Sequence, residues 1–492
     1  MTEHTEPTRA AGPGEPAGVG APPSSERVFE ADEIFFSTTD AAGRIRRANS
    51  IFMRLSGYPR GALVGRAHNV VRHPVMPAGL FRGVWEDIEA GHAASAYITN
   101  RASDGGHYRV FATIVPSGSG YLSIRTLPQL TEQRDAFERA FERVREVEAV
   151  SAAGGSTRRE VAAAGQAALS RELEALGYES TVDFTRRAVA SEVAALVAAG
   201  VGIPSAEGAE GPVARVLSEM HAIEEATGGH LALLDELARL VRLLERRATD
   251  IRALSTRLSE LRAALRATRD EVAHLGASRP GTSRPDAGKD ASAGAMSAGA
   301  GATGFEERYR RVDALVLECA EELRPLAGQV SELRGDAYSV RFAIALMRLH
   351  NLASGFFAAQ ILAGDDDVAE NDAVGSLEEL TSALSEGISR LTDHRALLEA
   401  RRELVGGELD AVAEELTATR GPLTELLAEA AAAGAGESEA VRRASMLLED
   451  GFPEARDLAD LAGAIRDLEI PMLAAEIQER ITAVRRALAE LR

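Results

Sequence analysis

The sequence predicts an α+β domain, an antiparallel five-stranded sheet with flanking helices, followed by a long all-α helical bundle and coiled-coil region. Three observations carry that prediction. Between residues 34 and 126, short apolar runs alternate with turn signals in the order strand, strand, short helices, then three strands. The rest of the 492-residue chain is dominated by Ala, Leu, Arg and Glu, and aromatics make up only 4% of the whole, a composition that suits long helices. Between residues 233 and 275, leucines recur in alternating steps of three and four, which is a heptad seam.

Residues 1–25 are rich in Pro, Gly and Glu and read as a disordered tail. Ile34, Phe35 and Phe36 begin a strand, Asp40 to Gly43 supplies a turn, and a second strand follows through Ile45. Asn49 then precedes an apolar helical run of Phe52, Leu55 and Tyr58. The stretch Ala67-His-Asn-Val-Val-Arg-His-Pro-Val-Met-Pro77 comes next. Proline fixes its own φ and drives the preceding residue out of the helical region, so His73 and Met76 are expected to be extended. Polar groups on a stiffened segment between apolar runs suit a ligand cleft. Phe81, Trp85 and Ile88 stand at helical spacing, and strands are expected over 96–101, 107–116 and 120–126. Taken alone, His68 and His92 read as solvent-exposed.

A helix from Thr131 carries Phe137, Phe141, Val144 and Val147 on one face. Thr157-x-x-Glu160 is a capping box that opens the next helix, and a further helix spans 182–199. The heptad seam has gaps at Arg247 and Thr268. It fits either an intermolecular coiled coil or a long helix within one subunit's bundle, and a homodimer is expected through it. Residues 129–275 thus form one helical region. Residues 276–304, rich in Gly, Ala, Ser and Pro, form a disordered linker that holds the only lysine, Lys289. Residues 305–492 read as an antiparallel helical bundle, broken at Gly406-Gly407, Gly421-Pro422 and Phe452-Pro453. The run from Val340 to Ala353 reads as an apolar core helix. Asp365-Asp366-Asp367 reads as a solvated loop, because a calcium loop starting there needs glycine where Glu370 stands.

A net charge of −20 argues against a nucleic-acid partner, which needs basic surface. A single cysteine, Cys319, permits no disulfide within the chain and fits a reducing, cytoplasmic setting. No secretory signal is visible, and the longest apolar run, 193–203, falls short of the ~20 residues a bilayer requires. The P-loop, the nucleophile elbow and the Cys-x-x-Cys and His-Glu-x-x-His motifs are missing, as is the strand lysine of protein kinases. The expectation is a protein that is not an enzyme.

Several motifs fall in one order: Ser37-Thr-Thr-Asp40, Ala48-Asn49, Ser56-Gly-Tyr58, His68-Asn-Val-Val-Arg-His-Pro74, Asn100-Arg101, Gly106-His-Tyr108 and Ser123-Ile-Arg-Thr126. Together they resemble the flavin-binding PAS domain of bacterial aerotaxis receptors over residues 27–128. The resemblance implies a PAS sensor domain at 26–128 with FAD as cofactor. Asn49, Arg72, His73, Trp85 and Asn100 stand at the family's pocket positions. Asn100 would meet the ring edge, Trp85 would form a wall, and Arg72 and His73 would meet ring oxygens or phosphates. The family's pattern has Asp where Val75 stands and Trp where Ala94 stands. Haem held by His73, or a cofactor-free interaction scaffold, are the alternatives. The implied function is sensing of redox state or oxygen, relayed through the helix from Thr131 to a signalling protein, with chemotaxis-type coupling machinery the candidate partner. Aerotaxis receptors are membrane-anchored, whereas this chain is expected to have no membrane span.

Overall fold

The computed structural model describes residues 25–277, 291–364, 370–448, 451–469 and 474–492. The expected solvated loop at Asp365 to Asp367, the tail through residue 24 and the linker residues 278–290 lie outside the described residues.

The N-terminal unit is a five-stranded antiparallel sheet in the order β2-β1-β5-β4-β3. Its strands are β1 (Phe35–Asp40), β2 (Ile45–Ala48), β3 (Ala94–Arg101), β4 (His107–Ser117) and β5 (Gly120–Thr126). Asp40 closes the first turn by accepting from Ala42 N at 2.9 Å and Arg44 N at 2.8 Å, the local side-chain capping that makes aspartate a turn residue. Between β2 and β3 the chain forms α1 (Ser50–Ser56), α2 (Arg60–Leu63), a short 3-10 turn (His68–Val71) and α3 (Ala78–Glu89). These cover one face of the sheet, referred to below as its inner face.

The helical region comprises α4 (Thr131–Ala153), α5 (Arg158–Ala175), α6 (Thr181–Ala198), α7 (Pro212–Thr227), α8 (Gly229–Ala277), α9 (Ala291–Leu362), α10 (Glu370–Ala430), α11 (Glu439–Leu448), α12 (Pro453–Arg466) and α13 (Ala474–Ala489). The capping box at α5 forms as expected, with Thr157 N donating to Glu160 at 2.7 Å and Glu160 N donating to Thr157 Oγ1 at 3.3 Å. Helix α9 begins at Ala291, inside the stretch expected to be linker.

Two expected breaks do not occur. Helix α10 runs through both Gly406-Gly407 and Gly421-Pro422. Glycine costs a helix ~1 kcal/mol and proline ~3 kcal/mol. Val405, Leu409, Leu416 and Leu423 are all fully buried on the same helix, and burial of each contributes ~1.5–3 kcal/mol, which outweighs the local preference. The break at Phe452-Pro453 does form, with Pro453 in the first turn of α12, where its missing N–H costs nothing.

The heptad seam resolves to the second alternative. Leu244, Leu258, Leu261 and Leu265 are buried within the single chain, where α8 packs against α9, α11 and α12. In this fold the seam is therefore used inside one subunit. Its two gaps have partners of their own. Arg247 reaches Asp457 at 2.8 Å, and Thr268 bonds Ala264 O at 2.9 Å. Arg262 holds Asp313 of α9 through two bonds, at 2.7 and 3.0 Å.

Among the described residues, the segment Thr303–Leu362 of α9 is long and apolar enough to cross a membrane. In this fold 83% of its apolar window is buried against the rest of the protein, and Val340, Leu346 and Ala353 are core residues, as expected for that run.

The outer face of the sheet is covered as well. Tyr97 on β3 packs on Phe137 of α4 and Phe184 of α6, and Phe36 on β1 meets Phe357 of α9 edge-on at 5.0 Å. The sheet is thus enclosed between its own short helices and the helical region.

A cavity between the sheet and helix α3

The inner face of the sheet and α3 enclose a cavity of about 400 Å³. Ile98 and Asn100 of β3, Ile114 of β4, and Ser123 and Arg125 of β5 form its floor. His68, Arg72, Phe81 and Trp85 form its roof.

The stiffened segment places Arg72. After the 3-10 turn Arg72 is extended and forms a backbone bridge to Asn100 across the cavity wall, and a turn closed by Met76 N donating to His73 O follows. Its guanidinium lies 3.4 Å from the centroid of the Phe81 ring, a cation–π contact, while its Nε is buried with no hydrogen-bond partner. Burial lowers its pKa, opposed by the charge of Glu148. Asn100 is buried, and its Nδ2 is likewise without a partner, as is Ser123 Oγ. Buried donors left unpaired are uncommon in folded proteins, and each needs a reason.

Trp85 is set by its neighbours. Its indole stands edge-on to Tyr121 at 5.5 Å and 85°. Gly43 lies directly beneath it at φ +71°, where an added Cβ would come within 2.6 Å of the indole. Backbone conformation and space both require glycine there, so the Asp40-to-Gly43 turn is built around the tryptophan.

Of the five expected site residues, Arg72, Trp85 and Asn100 meet at this cavity. His73 does not. Its Nδ1 accepts from Val75 N at 3.2 Å, and its ring lines a separate cavity of about 440 Å³ between the β3–β4 pair and α4. Burial and the neighbouring His107, Arg101 and Arg145 lower its pKa. Val75 lines that second cavity too. Asn49 is also elsewhere. Its Oδ1 accepts from Phe52 N and Phe36 N, capping α1, and its Nδ2 donates to Ile34 O and, at 3.3 Å, to Gln360 of α9. It fastens the sheet to the helical region. Ala94 is buried outside the lining.

Most of the lining went unnamed as ligand contacts from the sequence, His68 and Arg125 among it. His68, expected to be exposed, is half-buried and accepts at Nε2 from Arg125 Nη2 at 2.6 Å. His92 is exposed as expected. The available signal was Arg125 itself, which shares one face of β5 with Ser123 in a strand whose side chains are nearly all buried, where a charge is out of place.

The lining contains two guanidinium groups and no carboxylate. Its volume lies within the ~300–1,000 Å³ of small-molecule sites. Unpaired donors among polar and apolar walls suit a ligand that presents hydrogen-bond acceptors.

No protein-family model matches the chain. Over 100 residues of its N-terminal region the chain is 42% identical to the aerotaxis receptor of Escherichia coli strain K12. The match covers 19% of this chain and 20% of that receptor. The chain therefore spans about a fifth of the length of the relative it matches.

Proposed function

We propose that the N-terminal domain is a redox or oxygen sensor holding FAD, and that the helical region relays its state to a protein partner without catalysing a reaction. One observation carries this reading: the unpaired buried donors Asn100 Nδ2, Ser123 Oγ and Arg72 Nε converge on a single cavity that also holds Trp85. Similarity to an aerotaxis receptor supports the same assignment. A bound flavin would supply reversible electron transfer. Asn100 orients the ring edge, Arg72 and Arg125 supply positive potential beside it, and Trp85 and Phe81 exclude water.

The relay follows from packing. Strands β1, β2 and β3 reach the helical region directly through Phe36–Phe357, Arg47–Glu379 and Tyr97–Glu192 respectively. A rearrangement at Asn100 that shifts β3 would thus load α6 and the start of α4 together. A two-state arrangement of these helices would be what a signalling partner reads. The setting we propose is cytoplasmic.

Trp85 is the only tryptophan, so its fluorescence reports on the cavity alone. FAD titrated into the purified protein should quench it and give a flavin absorption spectrum, and Asn100→Ala with Arg72→Ala should abolish both. A protein that stays colourless in excess FAD overturns the reading, and a Soret band would transfer the site to haem.

A further inference from the structure

Arg125 is 3% exposed, on the central strand β5, with its guanidinium at the cavity floor. A guanidinium has five N–H donors and no way to become neutral cheaply. Its acceptors here are Ser37 Oγ at 3.1 Å, Ser123 O at 3.3 Å and His68 Nε2 at 2.6 Å, all of them neutral. Phe52 flanks it, with the guanidinium carbon 5.1 Å from the ring centroid. Among the described residues no carboxylate acts on it, and burial pushes its pKa down to about 10. It therefore remains charged at neutral pH. A buried charge with only neutral partners is costly, and a fold that keeps one beside a cavity has a use for it.

His68 fixes where that charge points. Its ring lies parallel to Phe52, 5.8 Å away at 5°. Arginine can only donate, so Nε2 must be the bare nitrogen and the ring must be neutral. Burial and the Arg125 charge both hold its pKa well below the usual histidine range.

We propose that Arg125 is the anion-facing contact of this cavity, pairing with a negatively charged or electron-rich atom of the ligand, and that His68 is its positioning residue. The proposal rests on the flavin reading only for its choice of probe.

The test compares Arg125→Met and Arg125→Lys with wild type in the full chain, measuring FAD affinity by Trp85 quenching and the Tm of the ligand-free protein. Arg125→Met should bind FAD roughly tenfold or more weakly, with an unchanged or higher ligand-free Tm, because removing an unpaired buried charge relieves the fold. Arg125→Lys should recover part of the affinity. His68→Phe, which removes the acceptor, should weaken binding, and His68→Gln, which keeps one, should restore it. Equal FAD binding by wild type and Arg125→Met overturns the proposal and leaves the flavin reading standing. A fall in ligand-free Tm in Arg125→Met overturns it as well, since Arg125 would then be a structural residue. If wild type binds no FAD, the flavin reading fails by itself and the ligand-free Tm decides. An unchanged or higher Tm sustains the unpaired charge, and a fall refutes it.

Discussion

Tyr97 donates its hydroxyl to the Glu192 carboxylate at 2.8 Å, and the same carboxylate accepts from Gln129 N at 2.7 Å and Leu130 N at 3.2 Å. One buried side chain of α6 thus joins the third strand of the sheet to the start of α4. It satisfies backbone N–H groups that the helix start leaves without partners, and its negative charge suits that end of a helix.

Replacing Glu192 by Ala leaves the Tyr97 hydroxyl and two backbone donors unsatisfied at a site with no exposure. The full chain should lose ~2–4 kcal/mol, since each such group costs ~1–3 kcal/mol and the three overlap. Guanidinium denaturation measures this, and an unshifted midpoint would remove Glu192 from the junction.

Burial raises the pKa of Glu192, opposed by hydrogen bonds from Gln129, Tyr97 and Leu130. Its folded value therefore lies above its unfolded one. Between the two, the folded state keeps a proton that the unfolded state has lost, so this group's contribution to stability falls as pH rises through that window. The difference in stability between wild type and Glu192→Gln should change in that direction above about pH 4.3. A constant difference would show that the carboxylate does not titrate as described.

Leu254 and Leu258 are each 1% exposed inside one chain. Changing both to Asp should unfold or strongly destabilise α8, at several kcal/mol for charges without partners. The wild-type unfolding midpoint should not depend on protein concentration. A midpoint that rises with concentration would return the seam to an intermolecular coil.

The junction between the sheet and α9 rests on Phe357 more than on charge. Phe357→Ala should cost ~3–5 kcal/mol. Arg47→Glu should cost about 1 kcal/mol or less, because Arg47 and Glu379 keep 27% and 30% of their side-chain surface exposed. Limited proteolysis between the two parts should follow the same order, and equal effects would contradict it.

A fragment of residues 26–128 retains the inner core but uncovers Phe36, Tyr97, Phe111, Leu122 and Ile124, all nearly fully buried in the whole chain. It should bind a hydrophobic dye and self-associate where the full chain does not. A monomeric, dye-silent fragment would show that the helices are dispensable to the sheet.

Much of this protein is legible from local pattern. The five strands, the Asp40-to-Gly43 turn, the capping box at Thr157 and the helix after Pro77 depend on contacts a few residues apart, and each forms close to where the sequence places it. Arg72, Trp85 and Asn100 were identifiable because their motifs carry a family resemblance, and the sheet then brings them together.

The rest was decided by long-range packing. Whether the leucines from 233 to 265 meet another chain or their own depends on α9, α11 and α12, and the α8–α12 contact of Arg247 with Asp457 spans 210 positions. The glycines and proline inside α10 end no helix, because burial on its flanks outweighs their local cost. Asn49 caps a helix and reaches Gln360, 311 positions on, while His73 turns to another cavity one residue after Arg72 has turned to the first. Local preference selects strands, turns and helix starts. Which side chain is buried, and against what, is settled only when distant apolar faces close on one another and the polar groups caught between them must find partners.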